Sequence, residues 1–391
     1  MENFNFYSPT EFVFGKETER EVGHLLKRFN ANKVLLHYGG GSIIKSGLYD
    51  RVVKALNDEN IDYVELGGVR PNPIDSLVYE GIKLSREEAV DFVLAVGGGS
   101  VIDSAKAIAA GVHYDGDFWD FYDHKAVVNK ALPVGTILTI PAAGSEGSSA
   151  TVITKESDRL KRGMGSNLLR PKFSIINPEL TYTLPFWHTA AGIVDMISHI
   201  FERYLSQTQD VILTDRLSES TLISIIEAGR KLIDEPNDYE ARATICWAGT
   251  IAHNGILGVG REEDWVTHGL EHQLSAVYDM THGAGLAIMF PAYMLYTLDE
   301  DLERFYRLAT TVFGVPSNHY HKKAVAIEGI QRLKAFYRAL GMPVTLQEGN
   351  VKKEDFPTIM TLLEKNMGKT FGNFKKLTLE DAQKIYELAW E

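Results

Sequence analysis

Phe92-Val93-Leu94-Ala95-Val96-Gly97-Gly98-Gly99-Ser100, followed by Val101-Ile102-Asp103-Ser104-Ala105-Lys106, decides the fold of this chain. Five consecutive apolar residues that end in three glycines and give way to a helical pattern read as a buried strand feeding a helix near Val101. Glycines there let a backbone approach a pyrophosphate without Cβ clashes. The helix N-terminus supplies free N–H groups and the positive end of its dipole. An ordinary strand-to-helix turn seldom needs three glycines in a row. The string is not Gly-x-Gly-x-x-Gly, so alone it does not establish a standard dinucleotide fold.

The same rhythm continues on both sides. Val34-Leu35-Leu36-His37-Tyr38 runs into Gly39-Gly40-Gly41-Ser42, and Tyr63-Val64-Glu65-Leu66 into Gly67-Gly68. Ile137-Leu138-Thr139-Ile140 runs into Pro141-Ala142-Ala143-Gly144-Ser145, and Phe173-Ser174-Ile175-Ile176 into Asn177-Pro178. Apolar strands alternating with helical patterns predict a parallel α/β sheet whose carboxyl edge binds a ligand. Residues 1–185 are therefore a candidate nucleotide-binding α/β domain. Beyond Pro185 the strand signal stops. Helical spacing recurs near 188–205, 211–232, 239–257, 265–278, 283–298, 301–313, 322–340 and 378–389, predicting an all-helical domain over 186–391. Gly192 and Gly255 interrupt that pattern and point to close packing or a ligand.

Length and composition fit two globular domains: 391 residues, 45% hydrophobic and 24% charged. A net charge of −12 disfavours a nucleic-acid partner, whose backbone is bound through excess Lys and Arg. No stretch approaches the ~20 apolar residues that span a bilayer, and Met1–Lys16 lacks a signal-peptide pattern. Cys246 is the single cysteine, in the apolar setting Thr244-Ile245-Cys246-Trp247-Ala248, and reads as a core residue. A cytoplasmic protein is the simple expectation.

Two positions bear on the nucleotide. No carboxylate follows Tyr38 to accept a ribose 2′-hydroxyl, whereas bare amides, Ser42 and Lys45 are available. That predicts a preference for NADP(H) over NAD(H). Lys161 sits in a basic cluster after the polar turn Thr154–Asp158, either a solvated loop or a cation for a phosphate or ribose.

A second constellation lies in the helical half. His268 and His272 are one helical turn apart, His282 follows ten residues on, and Asp195 precedes His199 by one turn. A lone pair of this kind is more often a surface ion pair or a satisfied core histidine. An Asp with three imidazoles, however, suits a single divalent cation with an open position, which acts as a Lewis acid.

Five strings taken in order carry a resemblance: Gly97 to Lys106; Ala143-Gly144-Ser145-Glu146; Asn177-Pro178-Glu179-Leu180-Thr181-Tyr182-Thr183-Leu184-Pro185; Asp195-x-x-x-His199-x-x-Glu202; and His268-x-x-x-His272 with Thr281-His282-Gly283. Together they resemble the iron-containing (group III) alcohol dehydrogenase family, in its butanol-dehydrogenase-like branch, over essentially the whole chain. The resemblance implies a Rossmann-like nucleotide domain over 1–185 and an all-helical domain over 186–391 with the active site in the cleft between them. It implies an enzyme interconverting short-chain primary alcohols and aldehydes, with Asp195, His199, His268 and His282 as metal ligands and His272 just outside them. It implies that Gly97, Gly98, Gly99 and Ser100 cradle the pyrophosphate, with Asp103 near the nicotinamide. Thr139, Ser145, Lys161, Leu180 and Thr183 match positions that line the cofactor in relatives. Gly39, where NAD-preferring relatives carry Asp, and the run Gly39, Gly40, Gly41, Ser42 resemble the NADP-using branch. Iron is the implied metal with zinc second, and a homodimer the implied assembly. One departure stands out: Gly147-Ser148-Ser149 replaces the Met usual after Gly-Ser-Glu.

In the mechanism so implied, a cation polarises an aldehyde carbonyl, hydride passes to or from the nicotinamide, and His272 either relays the proton or only orients a ligand. Two rivals share parts of the plan: a dehydroquinate-synthase-type lyase and a non-catalytic nucleotide-binding protein. The lyase calls for several Lys or Arg near the metal, whereas Asp264-Trp265-Val266-Thr267-His268-Gly269-Leu270 is aromatic and apolar.

Overall fold

The computed structural model describes residues 1–390, which form two compact units: Tyr7–Leu184, and the residues from Pro185 onward together with Met1–Phe6. In the first, the strands are β1 (Glu11–Phe14), β2 (Lys33–Gly39), β3 (Asp62–Val69), β4 (Phe92–Gly98), β5 (Val134–Ile140), β6 (Ala150–Lys155), β7 (Leu160–Gly165) and β8 (Phe173–Ile176). Six of them make one parallel sheet in the order β1-β8-β5-β4-β2-β3, and β6 and β7 pair as an antiparallel hairpin. Around them lie α1 (Val22–Arg28), α2 (Ser42–Lys45), α3 (Leu48–Asp58), α4 (Asp75–Glu87), α5 (Gly99–Gly111) and α6 (Trp119–Tyr122).

The order of the strands places the ligand edge. From β2 the chain moves outward to β3, then returns to pair β4 on the other side of β2, with Val34 opposite Phe92. The winding therefore reverses between β2 and β4, and such reversals leave a crevice at the carboxyl ends of the two strands. Both glycine triplets end those two strands. Every residue of β4 is buried, as continuous apolar character predicts for a strand covered on both faces.

His37 pins this arrangement from inside. Its ring is wholly buried, with Nδ1 2.7 Å from the Leu66 carbonyl of β3 and Nε2 2.8 Å from the Ser104 hydroxyl of α5. Nδ1 donates to the carbonyl and burial disfavours the charged ring, so the neutral form leaves Nε2 to accept from the hydroxyl. Burial pushes its pKa down to about 4, against the upward pull of the Leu66 carbonyl. Between pH 6.5 and 4 the unfolded ring holds a proton that the folded ring does not, so stability falls as pH falls through that window. The loss from this residue amounts to about 3 kcal/mol. In paired denaturant titrations, wild type should lose that much more than His37→Gln over the window; parallel profiles would contradict the assignment.

The second unit comprises α7 (Phe186–Tyr204), α8 (Ile212–Asp234), α9 (Tyr239–His253), α10 (Val266–Tyr278), α11 (His282–Thr297), α12 (Leu302–Thr311), α13 (Lys322–Ala339), α14 (Phe356–Met367) and α15 (Leu379–Leu388). A two-stranded ribbon, β9 (Thr370–Phe371) with β10 (Leu377–Thr378), is the one departure from an all-helical reading among the described residues. Helix α7 forms the spine: every residue from Thr189 to Tyr204 is buried, including Asp195, His199, Glu202 and Arg203. Burying charges at such density is costly unless each finds a partner. Gly255 ends α9 in the left-handed region at φ 102°, so it stops a helix rather than interrupting one. Cys246 is buried and free, as read from its neighbours. No helix of the described residues is long and apolar enough to cross a membrane.

Candidate metal centre and nucleotide edge

Three helices bring Asp195, His199, His268 and His282 together. The Asp195 and His199 side chains leave α7 one turn apart, His268 lies in the first turn of α10, and His282 opens α11. Gly283 makes the last approach possible, because a Cβ there would stand 2.1 Å from the Ala191 carbonyl oxygen of α7. With only a hydrogen at 283, the start of α11 rests on the α7 backbone one turn before Asp195.

One oxygen is the focus. Asp195 Oδ1 lies 3.7 Å from His199 Nδ1, 3.9 Å from His268 Nε2 and 3.7 Å from His282 Nε2. Asp195 Oδ1, His199 Nδ1 and His268 Nε2 are buried with no hydrogen-bond partner. Unsatisfied buried polar atoms cost about 1–3 kcal/mol each, so three aimed at one point call for something there. Donors at 2.0–2.1 Å from a tetrahedral cation lie about 3.4 Å apart, close to the three distances from Asp195 Oδ1; Asp195, His268 and His282 stand within mutual reach of one cation, and His199 joins them through Asp195. The residues fit a divalent cation.

The electrostatics agree. Burial opposes a proton on His268, but Asp195 and Glu202 outweigh it and hold that ring up at about 9. Burial, with His253 and His268 alongside, pushes His199 well below the ordinary histidine range. Asp195 and Glu202 thus favour a positive charge at His268, a role a bound cation takes over from a proton, while His199 is held neutral.

Carboxylates stand behind two of the rings. Glu202 Oε1 accepts the His268 backbone N–H at 2.9 Å and sits 2.7 Å from Nδ1 of the same residue. One side chain thereby satisfies an open amide in the first turn of α10 and turns Nε2 of the ring toward Asp195. Glu271 hydrogen-bonds Nδ1 of His282 in the same manner. Trp265 closes a third side: its ring packs against His199, His253 and His268, and the Arg203 guanidinium lies 4.7 Å from its centre. It adopts φ 65°, a left-handed backbone that costs a bulky residue roughly 1–2 kcal/mol and persists only where packing dictates it. His253 stacks on His199 with ring centres 4.3 Å apart. His272 stands beside His282, ring centres 5.6 Å apart.

Glu202 lay within one of the quoted strings, a helical turn past His199, but the sequence reading gave it no role. Glu271 gave only the signal of an acid next to His272. Trp265 was read only as part of an aromatic and apolar stretch around His268, and His253 gave no signal, because its place at the centre depends on how α9 ends.

In the other unit, the nucleotide-edge residues gather at the carboxyl ends of neighbouring strands. Gly39 ends β2, and Gly40, Gly41 (φ 102°) and Ser42 follow it; a Cβ at Gly40 or Gly41 would meet nothing within 4 Å. The second triplet differs from the expected loop. Gly97 and Gly98 are the last residues of β4, and Gly99 is the first of α5, two residues before the predicted start. Packing explains this: a Cβ on Gly97 would meet Val101 at 2.4 Å and one on Gly98 would meet Ile140 at 2.8 Å. The helix turns immediately off the strand, leaving Ser100 partly exposed in its first turn. Thr139 is next to last in β5; Leu180 and Thr183 follow β8, Leu180 half-buried and Thr183 exposed.

Asp103 and Ser145 hold the edge together. Ser145 Oγ donates to Asp103 Oδ1 at 2.5 Å, and the Val152 amide donates to Asp103 Oδ2 at 2.9 Å. Lys106, wholly buried one turn past Asp103, donates to the carbonyls of Ser145, Ser148 and Ala150 at 2.6, 2.9 and 2.9 Å. Burial pushes this ammonium down to about 8, while Asp103 and Glu146 hold it up. The run Gly147-Ser148-Ser149 is therefore tied down from beneath by a lysine whose role the sequence did not reveal. Lys161 corrects the loop reading: it is buried in β7, its Nζ donating to Asn72 Oδ1 at 3.0 Å.

Comparison with known proteins covers both units. The model of iron-containing alcohol dehydrogenases matches residues 9–178, and that of the C-terminal part of the Fe-containing alcohol dehydrogenase family matches 189–390. The "Probable NADH-dependent butanol dehydrogenase 2" of Bacillus subtilis (strain 168) is 46% identical over 98% of this chain and 99% of its own. The "NADPH-dependent aldehyde reductase YqhD" of Escherichia coli (strain K12) is 35% identical over 100% of both. The crystal structure of an NADH-dependent butanol dehydrogenase A from Thermotoga maritima superposes with a TM-score of 0.97 at 43% identity, covering 100% of this chain and 99% of that one.

Proposed function

The chain belongs to the iron-containing alcohol dehydrogenase family, and on that premise we propose how its own residues carry the reaction. It is an NAD(P)-dependent oxidoreductase that interconverts alcohols and aldehydes and uses a metal. Short-chain primary alcohols and aldehydes of the butanol type are the substrates. The observation that carries this reading is the convergence of three imidazole nitrogens on the otherwise unpartnered Asp195 Oδ1.

Asp195, His199, His268 and His282 would hold the cation; iron is proposed first and zinc second, since three imidazoles and a carboxylate suit both. When bound, the cation supplies Lewis acidity to the substrate oxygen, and the nicotinamide gives or takes the hydride. The rest falls to the chain. Glu202 holds the Nδ1 hydrogen of His268 and turns Nε2 toward Asp195, where the cation would take the place of the second proton. Trp265 gives the centre an apolar wall, which suits an aldehyde better than the anionic substrate of a lyase. Arg203, the buried cation one turn past His199, is committed to Glu263 at 3.0 Å and to the carbonyls of His199 and Ala252. Lys106, Asp103 and Ser145 fix the turn after β5, where the nicotinamide end is placed.

His272, partly exposed beside His282, is assigned proton exchange with solvent. The His272→Ala variant should keep its metal and lose about 10²-fold in turnover near neutral pH. Unchanged turnover across the pH range would leave His272 only an orienting role.

On the nucleotide, the relatives' names divide between NADH and NADPH, so the choice rests on this chain's residues. NADP(H) is preferred here because Gly39 and its successors offer amides and Ser42 but no carboxylate. Glu65, on the neighbouring strand, accepts from the Tyr38 and Tyr49 hydroxyls at 3.0 and 2.6 Å. We place the enzyme in the cytoplasm as a homodimer, the setting implied by its composition and family. Butyraldehyde added to the metal-replete protein should cause stoichiometric loss of NADPH absorbance. A lyase or a non-catalytic nucleotide binder would consume none.

A further inference from the structure

Two overlapping groups of metal-binding type surround His282: Asp195, His268 and His282, and Glu271, His272 and His282. The position of Glu271 decides between them. Its side chain is wholly buried between α10 and α11, and both oxygens are taken. Oε2 hydrogen-bonds Nδ1 of His282, and Oε1 accepts from the Ser275 hydroxyl at 2.5 Å. The opposite helix makes room for it: a Cβ on Gly285 would stand 2.7 Å from both Cγ and Oε1 of Glu271.

A buried carboxylate is expensive, so its retention calls for a function or a strong partner. With Oε2 on Nδ1, the proton of a neutral His282 must reside on Nδ1, which leaves the Nε2 lone pair facing Asp195 Oδ1 at 3.7 Å. Glu202 imposes the same tautomer on His268 from a different helix. We propose that Glu271 is a positioning residue for the metal centre: it fixes the tautomer and orientation of His282, raises the basicity of Nε2, and is itself not a ligand. This rests on the reading of Asp195, His199, His268 and His282 as the ligand set.

The test is metal affinity, measured with Co²⁺ in competition with a chromophoric chelator on stripped wild type, Glu271→Gln and Gly285→Ala. The Gln side chain keeps the shape of Glu271 but removes its charge. The alanine methyl forces the carboxylate to shift and leaves its chemistry intact. One Co²⁺ per chain should bind in all three proteins, about 10- to 100-fold more weakly in both variants, with the wild-type visible spectrum altered. The melting temperature of the stripped proteins serves as the structural control. Should Glu271→Gln prove too unstable to purify, Gly285→Ala alone decides. Equal affinity in wild type and the purified variants overturns the proposal while leaving the ligand set standing. Two Co²⁺ per wild-type chain, one of them lost in Glu271→Gln, overturns it by making Glu271 a ligand. A wild type that binds no Co²⁺ refutes the ligand set itself.

Discussion

Replacing Asp195 by alanine should strip the protein of its metal and lower aldehyde reduction by about a thousandfold, with little change in the stability of the stripped chain. The size follows from the chemistry: Lewis-acid polarisation contributes several kcal/mol of transition-state stabilisation, and about 4 kcal/mol corresponds to roughly a thousandfold. The structural silence follows from the geometry. Asp195 Oδ1 has no hydrogen-bond partner among the described residues, and its neighbours are the rings that would share the cation. Removing this buried carboxylate relieves its desolvation, which offsets the small cavity it leaves and the lost attraction to the His268 ring. Metal content by elemental analysis and melting of stripped wild type and variant separate the two effects. A variant that keeps its metal, or one that unfolds, would contradict this role for Asp195.

The Gly39→Asp variant should reverse the choice of nucleotide. The substitution fits: a Cβ at 39 meets only the Val69 carbonyl at 3.3 Å and Val101 at 3.9 Å, and Gly39 is not in the left-handed region. A carboxylate at the end of β2 accepts hydrogen bonds from a ribose 2′-hydroxyl and repels a 2′-phosphate. Like-charge juxtaposition costs several kcal/mol, so the NADPH-to-NADH ratio of kcat/KM should fall by about a hundredfold. If the wild type already favours NADH, or the ratio does not move, the nucleotide is selected elsewhere.

Much of this architecture was legible because it rests on local chemistry. Phe92–Val96 is apolar without a break, and β4 is buried on both faces. The helical periods after Pro185 were readable for the same reason, although α14, with Phe356, Ile359, Leu363 and Met367 at helical spacing, went unread. Short elements escaped notice. β1 and the β6–β7 hairpin carry mixed polarity, so the sequence left Lys161 open between a solvated loop and a cation for the nucleotide. The glycine triplet at 97–99 was recognised, but its geometry was not. Gly97 and Gly98 answer to Val101 and Ile140, contacts fixed by the packing of a helix on its own strand.

The centre divides in the same way. Asp195, His199, His268 and His282 were found because metal-binding residue types recur at helical spacing. The groups that orient or enclose them were not, because their partners are remote in sequence. Glu202 meets His268 across 66 residues, His253 stacks on His199 across more than fifty, and Gly283 matters through the backbone of Ala191. In the nucleotide unit, Lys106 belongs to a string read for its glycines, yet its partners lie some forty residues downstream. Tertiary proximity of this kind leaves no period in a sequence.

The most direct test of the central claim is a metal titration of activity. The protein is purified without added metal, its content is counted, and NADPH-dependent butyraldehyde reduction is followed as Fe²⁺ is returned to the stripped enzyme under anaerobic conditions. Activity should rise linearly and reach its plateau at one Fe²⁺ per chain. Full activity in the stripped protein, or a plateau that bears no relation to one metal per chain, would contradict a single cation held by Asp195, His199, His268 and His282.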